Sequence, residues 1–310
     1  MAEVTVFGGT GFLGSRLVAA LAGQGHDVRV TSRRPESASV RQDAAGPGAV
    51  RVVGADVLEP PSVAAAVGGA AAVVNAVGHY VEQGSATFAA VHVEGAGRVA
   101  AAARDAGVAR LVHLSGIGAD PDSRSPYVRS RGRGEAAVRT AFPDATIFRP
   151  SAMFGDADGL LTMLSALVRR APVVPLFGRG RTRLQPVHVD DVAAAAVRAI
   201  EQPWTAGRVL ELGGPEVLTW RELLERVMRA ADRRPFLLPV PFAVWQLSAM
   251  ALSPLPSPPI SEGQVALMRQ DNVVAPALPG LDALGIEPRS IDSVLQNREA
   301  GRRSSGNRDG

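Results

Sequence analysis

Cysteine and lysine are both absent from this chain of 310 residues, so all 33 of its basic side chains are arginines. Without cysteine there are no disulfides, no zinc–thiolate or iron–sulfur ligation and no thiol nucleophile. Without lysine there is no Schiff base, no phosphate-loop ammonium and no amine acid or base. Aromatic residues are sparse, with two Tyr, three Trp and nine Phe, too little ring surface for a base-stacking platform. Formal net charge is +3, and residues 297–310 hold four arginines against Glu299 and Asp309. The body is thus near neutral, no basic stripe marks a nucleic-acid face, and no nucleic-acid partner is expected. The pI near 10.3 follows from the shortage of groups that titrate above neutrality, since arginine stays charged.

A long apolar run is missing as well. Glu3 comes early and the N-terminus lacks the features of a secretory signal. Residues 235–261 carry no charge, but their seven prolines leave about a dozen residues for a helix, short of the roughly 20 needed to span a bilayer. Two readings stay open: a buried helix or pocket wall, and a helix lying on a membrane or a partner protein. A cytoplasmic location is expected, with a peripheral position on the inner membrane face as the extension of the second reading. The five histidines (His26, His79, His92, His113, His188) show no metal-ligand spacing and read as core or turn residues; no metal is expected. Neither a Gly-x-Ser-x-Gly nor a His-Glu-x-x-His pattern occurs.

Short β-branched runs alternate with Ala-rich helical stretches over the first 150 residues: strands at 3–7, 28–31, 50–53, 71–75, 110–114 and 145–148, with helices at 11–24 and through 87–106. Continuously apolar strands alternating with helices predict a doubly wound α/β fold, a parallel (Rossmann) sheet covered on both faces. Residues 1–150 are expected to form this domain, with 186–212 returning to it. Residues 151–185 and 213–296 are expected to build a smaller C-terminal, substrate-side lobe, and 297–310 a disordered polar tail. Within the lobe, 159–170 reads as a helix, 172–183 as a Pro/Gly/Arg-rich loop, and Thr219-Trp-Arg-Glu222 has capping-box spacing.

Between the first strand and first helix stands Gly-Gly-Thr-Gly-Phe-Leu-Gly, residues 8–14. Glycines so spaced allow a tight turn, close approach of backbone to a pyrophosphate and close packing of helix on strand, while the helix N-terminus offers N–H groups to phosphates. A nicotinamide dinucleotide is the expected ligand. At the end of the second strand an NAD site would present an acid to the ribose, but here the chain reads Thr31-Ser32-Arg33-Arg34. An arginine fork suits a 2′-phosphate, so NADP(H) is favoured over NAD(H); two solvated arginines are the plainer alternative. Asp56 could accept from the adenine amino group, and residues 75–78 would line the adenosine, although turn chemistry explains both equally.

These segments, with SPYVRSRGRGE at 125–135 and FRPSAMFG at 148–155, resemble an extended or atypical short-chain dehydrogenase/reductase of the epimerase/dehydratase type over about residues 1–215. YVRSRGRGE at 127–135, QPVHVDDVA at 185–193 and QVALMRQDNVV at 264–274 are similar to the branch that holds the NADPH-binding accessory subunit of respiratory complex I and its bacterial relatives. The resemblance implies that Gly8, Thr10, Gly11, Phe12, Leu13, Gly14, Ser32, Arg33, Asp56, Val57, Ala76, Val77, Tyr127, Arg131 and Pro150 contact the cofactor. It implies Tyr127 as the proton donor or acceptor and Ser115 as a hydroxyl donor to an oxyanion, though a Ser closing a parallel strand is ordinary. Arg131 stands where the family has lysine. Arg131 can supply positive charge but cannot relay a proton. Two functions follow as expectations: a weakly catalytic or non-catalytic NADP(H) binder associated with a membrane-bound respiratory or quinone-related complex, or a working NADP-dependent oxidoreductase or epimerase on an apolar carbonyl compound.

Overall fold

The computed structural model describes residues 2–38, 46–155, 159–253, 255, 260, 262–296 and 298. In chain order its elements are β1 (Glu3–Phe7), α1 (Phe12–Gly23), β2 (Asp27–Ser32), β3 (Val50–Gly54), α2 (Pro60–Val67), β4 (Ala72–Asn75), α3 (Ala96–Asp105), β5 (Arg110–Leu114), α4 (Pro126–Ala141), β6 (Thr146–Pro150), β7 (Met153–Phe154) and α5 (Gly159–Arg170). They continue as β8 (Val173–Phe177), β9 (Arg183–Leu184), β10 (Val187–His188), α6 (Val189–Glu201), β11 (Val209–Leu212), β12 (Leu218–Thr219), α7 (Trp220–Ala230), β13 (Phe236–Val240), α8 (Phe242–Leu252) and α9 (Glu262–Leu267). The chain forms two compact units: 1–150 with Val189–Leu212 and Ala275–Glu287, and 151–188 with Gly213–Val274 and 288–310.

In the first unit, seven strands stand in the order β11-β6-β5-β4-β1-β2-β3, every neighbouring pair parallel. The strand order reverses between β1 and β4, the switch point at which open α/β sheets bind ligands. The apolar strand runs explain the sheet: Val4, Val6 and Phe7 of β1 and Val73 and Val74 of β4 are fully buried, as strands covered on both faces must be. Helix α1 lays Leu13, Leu17 and Leu21 on the sheet at a spacing of four residues. Pro126 at the first helical position and Ser125, whose hydroxyl accepts from Val128 N, begin α4. The helix expected through 87–106 enters instead as a wide π-helical turn at Ala89–Gly95 before α3. This places His92 on an irregular turn, a geometry common near functional sites.

A segment assigned from sequence to the smaller lobe, Ala275–Glu287, belongs with the sheet. Its backbone borders β11, where Glu211 N donates to Pro279 O at 3.1 Å and Ala275 N donates to Glu211 Oε2 at 2.8 Å. No periodic pattern announces such a segment, because its anchors are single hydrogen bonds.

The second unit packs Phe154, Leu161, Leu164, Leu176, Leu223 and Leu224 into one core. The capping box of α7 forms, with Glu222 N donating to Thr219 Oγ1 and Thr219 N donating to Glu222 Oε2. Residues 172–183, read as a loop, contain β8, which pairs in parallel with β13. Pro175 and the flanking Gly178 and Pro172 conceal a strand from composition, and an outer strand of two tolerates proline. Apart from Arg298, the tail from 297 lies outside the described residues.

Candidate functional site

Gly8 adopts φ +78°, and a Cβ there would stand 2.8 Å from Ala76 O, the backbone that follows β4. Gly8 O accepts from Gly11 N at 3.0 Å, closing the turn. At Gly14 a Cβ would fall 1.9 Å from Gly8 O, and at Gly9 it would fall 2.7 Å from Val30 Cγ1. The glycines are therefore demanded by the turn and by helix–strand contact. Gly11 sits at the N-cap of α1 without a side-chain cap, and the first helical bond runs from Ser15 N to Gly11 O. The N–H groups of Phe12, Leu13 and Gly14 thus precede the ladder and face outward as an anion cradle. Thr10 is exposed beside them. This cradle fits a dinucleotide pyrophosphate: Gly11 puts no side chain over the N–H groups, and the positive helix end is uncapped.

Around the cradle, Ser32 ends β2 and its hydroxyl accepts from Arg34 N at 3.1 Å, while Arg33 is exposed. Asp56 uses Oδ1 to accept from Leu58 N and its own N–H to donate to Ser62 Oγ, so it shapes the turn after β3. Val57 is buried and its carbonyl accepts from Arg98. Ala76 N donates to Phe7 O, and Val77 N to Asn75 Oδ1. Pro150 closes β6, its carbonyl accepting from Ile117 N.

Arg131 ties the strand ends together. Its Nε donates to the Tyr127 hydroxyl at 3.4 Å and its Nη1 to Leu114 O at 3.1 Å, the residue before Ser115. Its guanidinium lies where a Cβ on Gly78 would be, 2.5 Å from Nη2. Spacing of four residues on α4 makes the Tyr127 contact possible. Burial opposes the charge on Arg131, but Tyr127, Tyr80 and Glu135 outweigh it and raise its pKa. Ser115 is held by a 2.7 Å bond from its N–H to Phe148 O. Its hydroxyl is buried and makes no hydrogen bond in the structure, an arrangement suited to a ligand oxygen.

Aromatic rings encase Tyr127, and of these only His92 is read from sequence, as a core or turn residue. Tyr80 stacks on it, and Phe88 and His92 meet it edge-on at 5.5 and 5.7 Å between centroids. His92 Nε2 accepts from His79 N at 3.2 Å, which fixes the proton on Nδ1. That N–H donates to Ser130 Oγ at 2.9 Å, and Ser130 donates to Tyr127 O at 2.7 Å. Burial, reinforced by Arg131, lowers His92 to about 2 and His113 to about 3, and lowers His79 too. The neighbouring Tyr127 raises the Tyr80 phenol above its usual range. His79, His92 and His113 are thus kept neutral beside the Arg131 cation. Only the π-helical turn, invisible in the sequence, brings His92 under Ser130. Among the described residues no group of three or more His, Asp or Glu is placed to hold a metal ion.

A parallel doubly wound sheet with a glycine cradle and an α4 tyrosine defines a nicotinamide-dinucleotide-binding short-chain dehydrogenase/reductase type of site. Residues 4–213 match the NAD dependent epimerase/dehydratase family, and the chain belongs to it. It is 32% identical to the NADH dehydrogenase [ubiquinone] 1 alpha subcomplex subunit 9, mitochondrial, of Arabidopsis thaliana, covering 96% of this chain and 78% of that protein. It is 33% identical to a ceramide reductase of Caulobacter vibrioides over 77% of this chain and 73% of that one. The fold is that of the Thermus thermophilus UDP-glucose 4-epimerase determined in complex with NAD, with TM-score 0.68 and 21% identity, covering 97% of this chain and 99% of that one.

Proposed function

We propose that this protein binds NADP(H) and serves as an accessory component of a membrane-bound respiratory or quinone-related complex, with weak or no turnover. The reading rests first on Arg131. Family chemistry asks the residue four after the tyrosine to assist a proton relay, and an arginine anchored on Leu114 O stays protonated. Support also comes from the near full-length likeness to a subunit of the mitochondrial NADH dehydrogenase. In this reading the first unit holds the nucleotide: the Phe12–Gly14 N–H groups take the pyrophosphate and Arg33 pairs with a 2′-phosphate. The second unit provides the substrate or partner side. No helix among the described residues is long and apolar enough to cross a membrane; in this reading the chain attaches peripherally, on the cytoplasmic face.

The test is a fluorescence titration with NADPH and NADH, alongside native electrophoresis of detergent-solubilised membranes. Tighter binding of NADPH that falls about ten-fold or more in Arg33→Ala, with migration in a large complex, is expected. Equal affinity for the two nucleotides would remove the NADP assignment, and absence from any large assembly would remove the accessory role.

A second reading is favoured by the buried Ser115 hydroxyl without a protein partner and by the likeness to a ceramide reductase: an NADP-dependent reductase of an apolar carbonyl compound. A bound reduced nicotinamide would supply hydride. Ser115 would donate to the carbonyl oxygen, Tyr127 would give the proton, and Arg131 would orient Tyr127. Single-turnover oxidation of NADPH by long-chain 3-oxo compounds or a short-chain quinone, lost in Tyr127→Phe, would establish it; tight binding without oxidation would reject it.

A further inference from the structure

Helix α8 is apolar on almost every side and carries no charge, the pattern of a helix inside a protein. Yet Ala249 is its one fully buried residue. Phe242, Trp245 and Leu252 turn inward against Ala249, Ile260 and Val265, and Trp245 Nε1 donates to Leu176 O. On the other side Val244, Leu247 and Met250 are 48%, 66% and 53% exposed. The β8–β13 ribbon continues the pattern: Phe236 and Leu238 are exposed on β13, as is Val173 on β8, and Phe236 and Val173 are register partners. Leu255 is exposed as well. Water-facing apolar surface of this extent, rather than scattered single residues, marks a covered face.

Charge at the ends of the ribbon identifies the cover. Parallel register, with Phe236 N donating to Pro172 O at 2.9 Å, sets Arg233 and Arg234 beside the Arg169–Arg170 end of α5. At the opposite end Arg179 and Arg181 follow β8. Arg170, Arg179, Arg181, Arg233 and Arg234 are all exposed. Stretches 169–181 and 229–234 together hold seven arginines against Asp232 alone, and no acid follows until Glu262. An uncharged apolar face framed by cations is complementary to an anionic lipid surface, into which apolar side chains insert while arginines pair with phosphates. We infer that the outer face of β8, β13 and α8 docks on the headgroup region of an anionic bilayer. With eleven residues, α8 lies along the surface and does not cross it.

This inference deepens the membrane-associated part of the proposed function, and its test needs no partner complex, so each can fail alone. The full chain is sedimented with vesicles of phosphatidylcholine alone and of phosphatidylcholine mixed with phosphatidylglycerol. Binding to the mixed vesicles only, weakening as salt is raised, is expected. Leu247→Glu with Met250→Glu should abolish it, and Arg233→Gln with Arg234→Gln should weaken it about five-fold per arginine. All four positions are exposed, and an unchanged thermal melt by circular dichroism verifies folding; should the Glu pair unfold, the Gln pair alone decides. No binding to the mixed vesicles, or binding indifferent to the altered pair, overturns the inference. A dimer in light scattering that Leu247→Glu with Met250→Glu dissociates also overturns it, by giving the face to a second copy of the chain.

Discussion

Tyr80 lies against Tyr127 with ring centroids 5.3 Å apart and planes 24° from parallel, and these are the chain's two tyrosines. Tyr127 is buried, while Tyr80 is 54% exposed and covers it from the solvent side. Tyr127 is the largest cause of the raised Tyr80 phenol, so the pair can be read spectroscopically. In Tyr127→Phe, Tyr80 is the sole tyrosine and should ionise at lower pH than in the wild type, closer to the ordinary value of about 10. Ultraviolet titration of phenolate measures this. The same variant should keep NADPH affinity within about two-fold while any NADPH oxidation falls about a hundred-fold or more. An unshifted Tyr80 titration would mean that the two hydroxyls do not interact.

Glycine substitutions separate the cradle from the rest of α1. Gly14→Ala puts a methyl 1.9 Å from Gly8 O, backbone that cannot yield without opening the turn. Loss of nucleotide affinity by at least about ten-fold and a lowered melting temperature are expected. Gly23→Ala lies in the same helix with nothing within 4 Å of the new methyl. It should leave binding unchanged and stabilise by up to about 1 kcal/mol. Equal effects from both would show that the glycines serve only helix propensity.

The sheet and the cradle could be read from sequence because their signals are local. Each strand is a short apolar run, and the glycines lie within seven consecutive positions whose spacing has one geometric use. Arg131 was legible for the same reason, four residues from Tyr127 on one helix. What stayed hidden depends on pairing across the chain. Strands β8 and β13 meet through register alone, with prolines in both obscuring their pattern. His92 joins Ser130 from an irregular turn that no 3.6-residue periodicity describes. Arg149 of β6, within a run quoted only for its family resemblance, proves to bind two buried glutamates.

That arginine makes a two-bond fork to Glu135 of α4, at 2.9 and 2.7 Å, and stands 3.6 Å from Glu211 of β11. Both glutamates are buried. Arg149→Met removes the shared cation and strands two carboxylates in the interior, a loss of about 3–5 kcal/mol. Urea unfolding followed by circular dichroism should show it. Adding Glu135→Gln and Glu211→Gln removes the stranded charges and should recover a large part, Glu211 retaining its oxygen for Ala275 N. A triple variant no more stable than Arg149→Met would place the loss in packing of the arginine stem.

The buried histidines set the acid limit of the first unit. His92 and His113 are held neutral by burial, with Arg131 adding to it, and their values fall to about 2 and about 3, whereas in the unfolded chain each returns to about 6.5. Folded values below unfolded ones mean that their contribution is complete above about pH 6.5 and drains away as pH falls below it, because only the unfolded chain takes up the protons. Each histidine then removes up to about 1.4 kcal/mol per pH unit. Melting temperatures measured from about pH 7 down to about pH 5 should decline accordingly. In His113→Leu, which keeps a similar volume and removes a buried Nδ1 that lacks a partner, the decline should be shallower. Carboxylates contribute equally to both proteins, so the difference between the two slopes isolates His113. Parallel slopes would mean that His113 is protonated in the folded state at these pH values, and that the strand end beside Ser115 carries charge.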